Sequence, residues 1–264
     1  MHDFSVNAIT AGYGKQTVIE NVSFRLEAGV LMGIIGANGS GKTTLLKSLC
    51  GILPHRGTCT LDDTVLEQLS PRQIAKRIGY IPQRSGISID ISVMDVVLMG
   101  FNPQLGLLEH PTKKMKEAAM AALDRVGLGG KEAWNYLHLS EGQKQLCILA
   151  RTLVSDSKLL LLDEPESALD FRYRHQMLSL LRKWVSDGSK CALVTLHDPS
   201  LALNYCDKLL LLNEGKVLTI LSPQTAPLPQ MEQMLGQVYG PISLQRCENR
   251  SGESQIVILS EDEP

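Results

Sequence analysis

The chain has 264 residues, of which 44% are apolar and 20% charged, and its formal net charge is −2. This is an ordinary globular composition with enough apolar material for a sizeable core, in one large domain or two small ones. The near-neutral balance argues against a nucleic-acid partner held by a broad basic surface.

The opening stretch "MHDFSVNAIT" has no basic segment followed by an apolar one, so it does not read as a secretory signal. Residues 3 to 28 alternate apolar and polar and are punctuated by Gly12, Gly14 and Gly29, which predicts short antiparallel strands. "VLMGII" (30–35) is a continuous apolar run, expected of a strand buried on both faces. A Gly-rich turn follows, then a helix from about Lys42 to Leu49 that stops near Gly51. Between about 88 and 150 the pattern turns helical. Met115, Ala118, Ala119 and Ala122 make one stripe, closed by Gly127 and Gly129, and Leu146, Leu149, Ala150 and Leu153 make another. This part is read as a helical insertion in an α/β core.

The buried-strand pattern returns at "KLLLLDEP" (158–165) and "CALVTLHD" (191–198). Between them Met177, Leu180, Leu181 and Trp184 fall at i, i+3, i+4 and i+7, and Asp187-Gly188 ends that helix. Strand, helix and strand joined by crossovers imply a mainly parallel α/β sheet. From about 223 the tail is rich in Pro and Gln and then acidic ("SEDEP"), which reads as a small appended segment with a solvated end. The six cysteines (Cys50, Cys59, Cys147, Cys191, Cys206, Cys247) form no C-x-x-C pair, show no metal-ligand spacing and lie mostly in apolar runs. They are expected to be reduced, mostly buried thiols. No apolar run reaches the roughly 18 residues that would span a bilayer.

"GANGSGKTT" fits G-x-x-x-x-G-K-[ST] with Gly36, Gly41, Lys42 and Thr43, after a buried strand and at the start of a helix. In such a loop the glycines let successive N–H groups point at phosphate oxygens, and the helix N-terminus adds a favourable dipole. Asn38, Gly39, Ser40 and Thr44 complete the cradle. Lys42 reaches the β- and γ-phosphates, and the Thr43 hydroxyl suits Mg²⁺. A Gly-rich turn of no function is the alternative. Asp163 stands at the C-terminal end of a buried strand, where parallel sheets put their ligands, and a carboxylate there suits the Mg²⁺ shell. Glu164 beside it is placed to orient or deprotonate a water attacking the γ-phosphate. A solvated pair of acids is the alternative here. Together these elements point to a P-loop NTPase that holds a nucleoside triphosphate with Mg²⁺.

"LSEGQ" (139–143), ahead of a helix and upstream of "LLLLDEP", resembles the LSGGQ signature of ATP-binding cassette (ABC) ATPases. Other motifs of that family follow suit. Tyr13 in "GYG" matches the aromatic that stacks on adenine. Gln83 in "YIPQ" matches the glutamine that links the Mg²⁺ and γ-phosphate region to the helical subdomain. "SALD" (167–170) matches the loop crossing the dimer interface, with Asp170 its acid, and His197 in "TLHD" matches the switch histidine near the γ-phosphate. His197 also precedes Asp198-Pro199, a good N-cap and N1 pair. The resemblance covers about residues 3 to 225. It implies a P-loop NTPase (RecA-like) core, about 1–87 and 151–225, with an N-terminal antiparallel β subdomain and a helical ABC-specific insertion, about 88–150. Residues 226–264 form a short C-terminal extension.

The resemblance also implies that two copies pack head to tail, each ATP lying between one phosphate loop and the other copy's signature. Ser140, Gly142 and Gln143 then meet the γ-phosphate of the partner's ATP, using the orphan N–H groups and dipole of that helix. Ser140 is expected to be the plain N-cap of that helix as well. The chain departs from the family in three places. Glu141 replaces the first signature glycine and is expected to repel the incoming γ-phosphate if it points that way. Glu166 stands where Thr is usual, and Ala37 where Pro is common; neither removes a catalytic group.

One cassette without a membrane span looks like the separate ATPase subunit of a bacterial importer, peripheral on the cytoplasmic face of the membrane. "LSPRQIAKRIGYIPQ" (69–83), "SVMDVVLMGFNPQLGLLEH" (92–110) and "FRYRHQMLSLLRKW" (171–184) resemble the iron-chelate, haem and cobalamin branch. By that resemblance the partners are a membrane permease, docking near Arg84 to Met99, and indirectly a substrate-binding protein, with no nucleic acid. The apolar residues of that stretch (Ile87, Ile89, Ile91, Val93, Met94, Val96, Val97) read equally well as core. The alternative is a soluble ABC ATPase in an assembly or repair machine, although the long coiled-coil insertions and second cassette of such proteins are missing. A P-loop kinase or GTPase lacks the signature helix, and no N-K-x-D guanine motif occurs.

Overall fold

The computed structural model describes residues 3–83, 86–106, 108–167, 169–250 and 252–261. The chain begins with an antiparallel hairpin of β1 (Asp3–Tyr13) and β2 (Gln16–Glu27), turned by Gly14 at φ +60°. Next come β3 (Leu31–Ile35) and α1 (Lys42–Leu49), then β4 (His55–Leu61), β5 (Thr64–Val65), α2 (Pro71–Ala75) and β6 (Ile78–Ile81). The helical stretch holds α3 (Val93–Leu98), α4 (Lys113–Arg125) and α5 (Glu141–Leu153). The core resumes with β7 (Leu159–Asp163), α6 (Phe171–Val185), β8 (Cys191–Thr195), α7 (Pro199–Tyr205), β9 (Lys208–Asn213) and β10 (Lys216–Leu221). The chain closes with α8 (Leu228–Tyr239) and the hairpin β11 (Ile242–Glu248) and β12 (Ser254–Ser260).

The strands make a six-stranded sheet in the order β10-β9-β3-β8-β7-β6, parallel apart from its β10 edge, and a four-stranded antiparallel sheet in the order β2-β1-β4-β5. The apolar runs are continuous because the parallel strands are covered on both sides. Leu159 and Leu161 of β7 face the core shared with α1 and the antiparallel sheet, whereas Leu160 and Leu162 face the core shared with α5, α6 and α7. Residues of β8 and β9 divide in the same way, as a period of two requires. This is the mixed α/β P-loop architecture with an antiparallel β subdomain that the motifs implied.

The helical stretch differs in detail from its predicted stripes. On α4 the buried residues are Ala119, Ala122 and Leu123, with Met115 half-buried, while Ala118 is exposed. At 100° per residue, Ala118 falls to one side of that stripe. Leu153 and Leu180 are half-buried, at the edges of their faces. In the apolar stretch after Gln83, Val93, Val96 and Val97 are core, Ile87, Ile91 and Met94 are half-buried, and Ile89 is exposed. Arg84 and Ala168 lie outside the described residues, as does the "DEP" end of the acidic tail.

The C-terminal residues fold onto the core. Met231 and Leu235 of α8, Leu244 of β11 and Ile256 of β12 are buried in the same cluster as α6 and α7. The Asn204 side chain on α7 makes two 2.8 Å hydrogen bonds to the backbone of Ile256, donating to its carbonyl and accepting its N–H. All six cysteines are free thiols, and Cys59, Cys147, Cys191 and Cys206 are buried.

Candidate functional site

Four loops leave the C-terminal ends of the adjacent strands β3, β8, β7 and β6 and meet over one edge of the sheet. The loop after β3 curls because its glycines permit it. A Cβ on Gly36 would run into the carbonyl of Leu212, and Gly41, the N-cap of α1, takes φ +103°. Lys42 opens α1, and its Nζ donates to the carbonyls of Gly36 (2.8 Å) and Ala37 (3.2 Å). Burial holds the Lys42 ammonium below its usual pKa, and the carboxylates of Glu164, Asp163 and Glu166 pull the other way. Ser40 and Thr44 are buried, while Asn38 and Gly39 are exposed at the loop's crest. A cavity of about 190 Å³ lies here, lined by Val18, Asn38, Gly39, Gly41, Lys42, Thr43, Thr44 and Glu164.

The Thr43 hydroxyl donates to Asp163 Oδ1 at 3.0 Å, which joins α1 to the end of β7. Thr195, the last residue of β8, contacts the same Oδ1 at 3.2 Å and accepts the N–H of Glu164 at 2.7 Å. Glu164 sits at φ +46°, a conformation that non-glycine residues adopt only when their surroundings hold them there. Its Oε2 accepts the Gln83 side-chain amide at 2.8 Å and stands 3.3 Å from His197 Nε2. The carbonyl of Gln83 in turn accepts Gln145 Nε2 of α5 at 3.3 Å, which ties the helical stretch to this centre. Thr43 Oγ1 and Asp163 Oδ1 are hard oxygen donors of the kind that Mg²⁺ prefers, so the donor set fits that ion.

The structure therefore brings together Lys42, Thr43, Gln83, Asp163, Glu164 and His197. Ser140, Gly142, Gln143 and Asp170 gather elsewhere, around the N-termini of α5 and α6. Ser140 caps α5 in a reciprocal box: its Oγ accepts the Gln143 N–H (3.3 Å), and Gln143 Oε1 accepts the Ser140 N–H (3.2 Å). That leaves the N–H groups of Glu141 and Gly142 pointing out along the axis, with no preceding turn to accept them. Asp170 caps α6 by accepting the Tyr173 N–H at 3.0 Å. The Tyr173 ring lies over Gly142, where a Cβ would come within 2.6 Å of it. Tyr13, at the end of β1, is half exposed beside a groove of about 620 Å³ that runs under the hairpin tip to residues 53–56.

Sequence reasoning passed over four residues here. Thr195 was legible as the one polar side chain closing the run "CALVT". Tyr173 and Lys144 gave no signal, because their importance lies in contacts across helices or along a helix turn. Glu166 was noted only as a departure; it is 2% exposed and accepts the His197 N–H at 2.9 Å. Elsewhere the fold gathers ligand-type atoms of His55, Cys59 and Glu67 within 4.8 Å of one another. Glu67 Oε1 there pairs with His55 Nε2 (2.9 Å) and accepts the Cys59 N–H (2.8 Å), a clasp between β4 and the turn after β5.

The family model described as ABC transporter matches residues 19–167. The hemin import ATP-binding protein HmuV of Pseudomonas fluorescens is 39% identical over 224 residues, covering 82% of this chain and 86% of that protein. The manganese transport system ATP-binding protein MntB of Listeria monocytogenes is 36% identical over 215 residues, covering 80% and 87% respectively. Among solved structures, an inward-facing ABC transporter described as metal-chelate type matches with a TM-score of 0.83 at 28% identity, over 99% of both chains.

Proposed function

The chain belongs to the ABC transporter family of ATPases, and on that premise we propose that it hydrolyses ATP between two head-to-tail copies of itself to drive import of an iron chelate, haem or cobalamin through a separate membrane permease. Its relatives serve transport systems, which removes the alternative of a soluble assembly or repair machine. They include proteins named for hemin and for manganese, which supports metal-containing cargo as the class. Among the described residues no helix is long and apolar enough to cross a membrane. A peripheral position on the cytoplasmic face follows from docking on the permease, with a substrate-binding protein delivering cargo on the far side.

In this reading the N–H groups of the loop after β3 wrap the phosphates, and Lys42 exchanges the carbonyls of Gly36 and Ala37 for phosphate oxygens. Tyr13 stacks on the base. Thr43 and Asp163, with Gln83 close by, would hold Mg²⁺, which supplies charge neutralisation at the β- and γ-phosphates. Glu164 orients the attacking water and accepts its proton, and Gln83 and His197 fix the carboxylate from two sides. The signature group of the partner copy, Ser140, Gly142 and Gln143, closes over the γ-phosphate, and Asp170 lies in the loop that faces it. The two residue groups lie apart within one chain, and that separation supports a site completed by a second copy.

The observation that carries this function is the convergence on Glu164 Oε2 of Gln83 and His197, beside the Thr43–Asp163 contact. Replacement Glu164→Gln is expected to bind ATP, turn over little and accumulate as a nucleotide-bridged dimer on gel filtration. Brisk hydrolysis by that variant would assign the water to another group.

A further inference from the structure

Glu166 occupies the turn after β7, two residues beyond Glu164, and it is nine-tenths or more out of solvent. Its Oε1 accepts the backbone N–H of His197 at 2.9 Å. Its Oε2 is buried and finds no hydrogen-bond partner among the described residues. The charged groups that face it are Glu164 on the same turn, Arg174 on α6 and Lys42 on α1, with the His197 ring beyond the N–H it holds. A buried carboxyl with one oxygen unpaired costs stability, and an apolar side chain of similar size would fill the space more cheaply. What the carboxyl does supply is an acceptor aimed at one backbone N–H.

That N–H lies in the loop that presents the His197 ring. Just before it, the Leu196 N–H bonds to the Ile34 carbonyl of β3 (3.1 Å), so the loop is tied on one side to the strand that leads into the phosphate loop. Glu166 ties it on the other side to the turn that carries Glu164, a turn also closed by bonds from Ser167 N–H to the Glu164 carbonyl (3.2 Å) and from Leu169 N–H to the Glu166 carbonyl (3.0 Å). We propose that Glu166 is a positioning residue for hydrolysis: it fastens the loop after β8 to the turn after β7, so that His197 Nε2 and Glu164 Oε2 keep their 3.3 Å spacing. It acts through the placement of the His197 ring against Glu164. The inference rests on the ATPase reading given above.

The test uses the purified full-length chain, with ATP turnover and backbone hydrogen exchange of residues 195–199 as separate readouts. Glu166→Leu removes the acceptor at similar volume, and Glu166→Gln keeps it. The Leu variant is expected to lose about tenfold or more in kcat, with KM for ATP within about twofold, because small misplacements of reacting groups cost rate rather than binding. Its His197 amide is expected to exchange faster, while the Gln variant keeps both properties within about threefold of wild type. In a His197→Ala background Glu166→Leu should cost nothing further. Should the Leu variant fold poorly by thermal melting, Glu166→Ala, which only deletes atoms, carries the same readouts. An unchanged kcat in the Leu variant, unchanged exchange at His197, or a full additional loss in the His197→Ala background would each overturn the role of Glu166. A wild-type chain that binds ATP without hydrolysing it would sink the ATPase reading as well, whereas an active wild type beside an equally active Leu variant sinks this inference alone.

Discussion

Lys144 Nζ lies 2.7 Å from Glu141 Oε1 on the first turn of α5. From the sequence, Glu141 is expected to repel the phosphate that the signature helix receives if its carboxylate points that way. In the structure the carboxylate is turned along the helix and matched by a cation one turn on. Glu141→Gly leaves the Lys144 cation unmatched and is therefore expected to tighten ATP-dependent dimerisation, by no more than about threefold because exposed charges act weakly through water. Lys144→Ala leaves Glu141 unmatched and is expected to weaken the dimer by a comparable factor of about threefold, more at low salt. The double variant, in which neither charge remains, should return to the wild-type level. Sedimentation of these variants in a Glu164→Gln background measures the three constants. A double variant as weak as Lys144→Ala would mean that Lys144 attracts phosphate directly.

What could be read in advance follows from how local each signal is. β3, β7 and β8 were legible because a strand covered on both faces must be apolar throughout, and the loop from Gly36 to Thr44 because its spacing is tied to phosphate geometry. Ser140 was legible as a cap for the same reason: a cap concerns residues three apart. The buried setting of Glu166, the Tyr173 ring over Gly142 and the Glu141–Lys144 pair were not legible. Each depends on which side chain another element or another turn brings near, and periodicity carries no record of that. Ala118 shows the limit on a finer scale, since small residues satisfy a helical stripe on paper without fixing which edge of it is buried.

Thr195 is the polar hinge of the catalytic turn. Its hydroxyl oxygen accepts the Glu164 N–H and touches Asp163 Oδ1. Thr195→Val keeps the shape and removes both contacts. Leaving those buried groups short of a partner costs about 1–3 kcal/mol. The expected outcome is a lower melting temperature and a kcat reduced about tenfold with nucleotide affinity retained, since Glu164 holds φ +46° only while its N–H is anchored. Steady-state kinetics beside a binding titration separate the two effects, and a Val variant with wild-type kcat would show the anchor to be dispensable.

The C-terminal helix and hairpin share a core with the rest of the chain, so they should unfold with it. Leu235 is fully buried between α8 and that core. Leu235→Ala is expected to cost about 2–5 kcal/mol, the range for a large-to-small change at a buried site. Urea unfolding followed by circular dichroism should show one transition moved to lower denaturant. A loss below about 1 kcal/mol, or a separate early transition, would make residues 228–260 an independent appendage.

The carboxyl of Glu166 gives the fold a pH dependence of known sign. Burial pushes its pKa up to about 7, helped by Glu164, while the N–H of His197, its own turn's backbone and Arg174 pull it down. The unfolded chain releases this proton near the usual value of 4.5. Below that pH both states hold the proton, and the group makes no difference to stability. Between 4.5 and about 7 the native state keeps a proton that the unfolded state has lost, so stability falls as pH rises, and above that range the loss is complete. The full excursion is on the order of 3 kcal/mol, since each tenfold difference in proton affinity between the two states is worth about 1.4 kcal/mol. Glu166→Gln cannot titrate, so its stability relative to wild type should climb through this window. The constant cost of its buried amide enters as an offset and leaves the slope untouched. Parallel urea titrations of both proteins from pH 5 to pH 8 cancel the other titrating groups, and a difference that stays flat across that range would place the Glu166 carboxyl in contact with water.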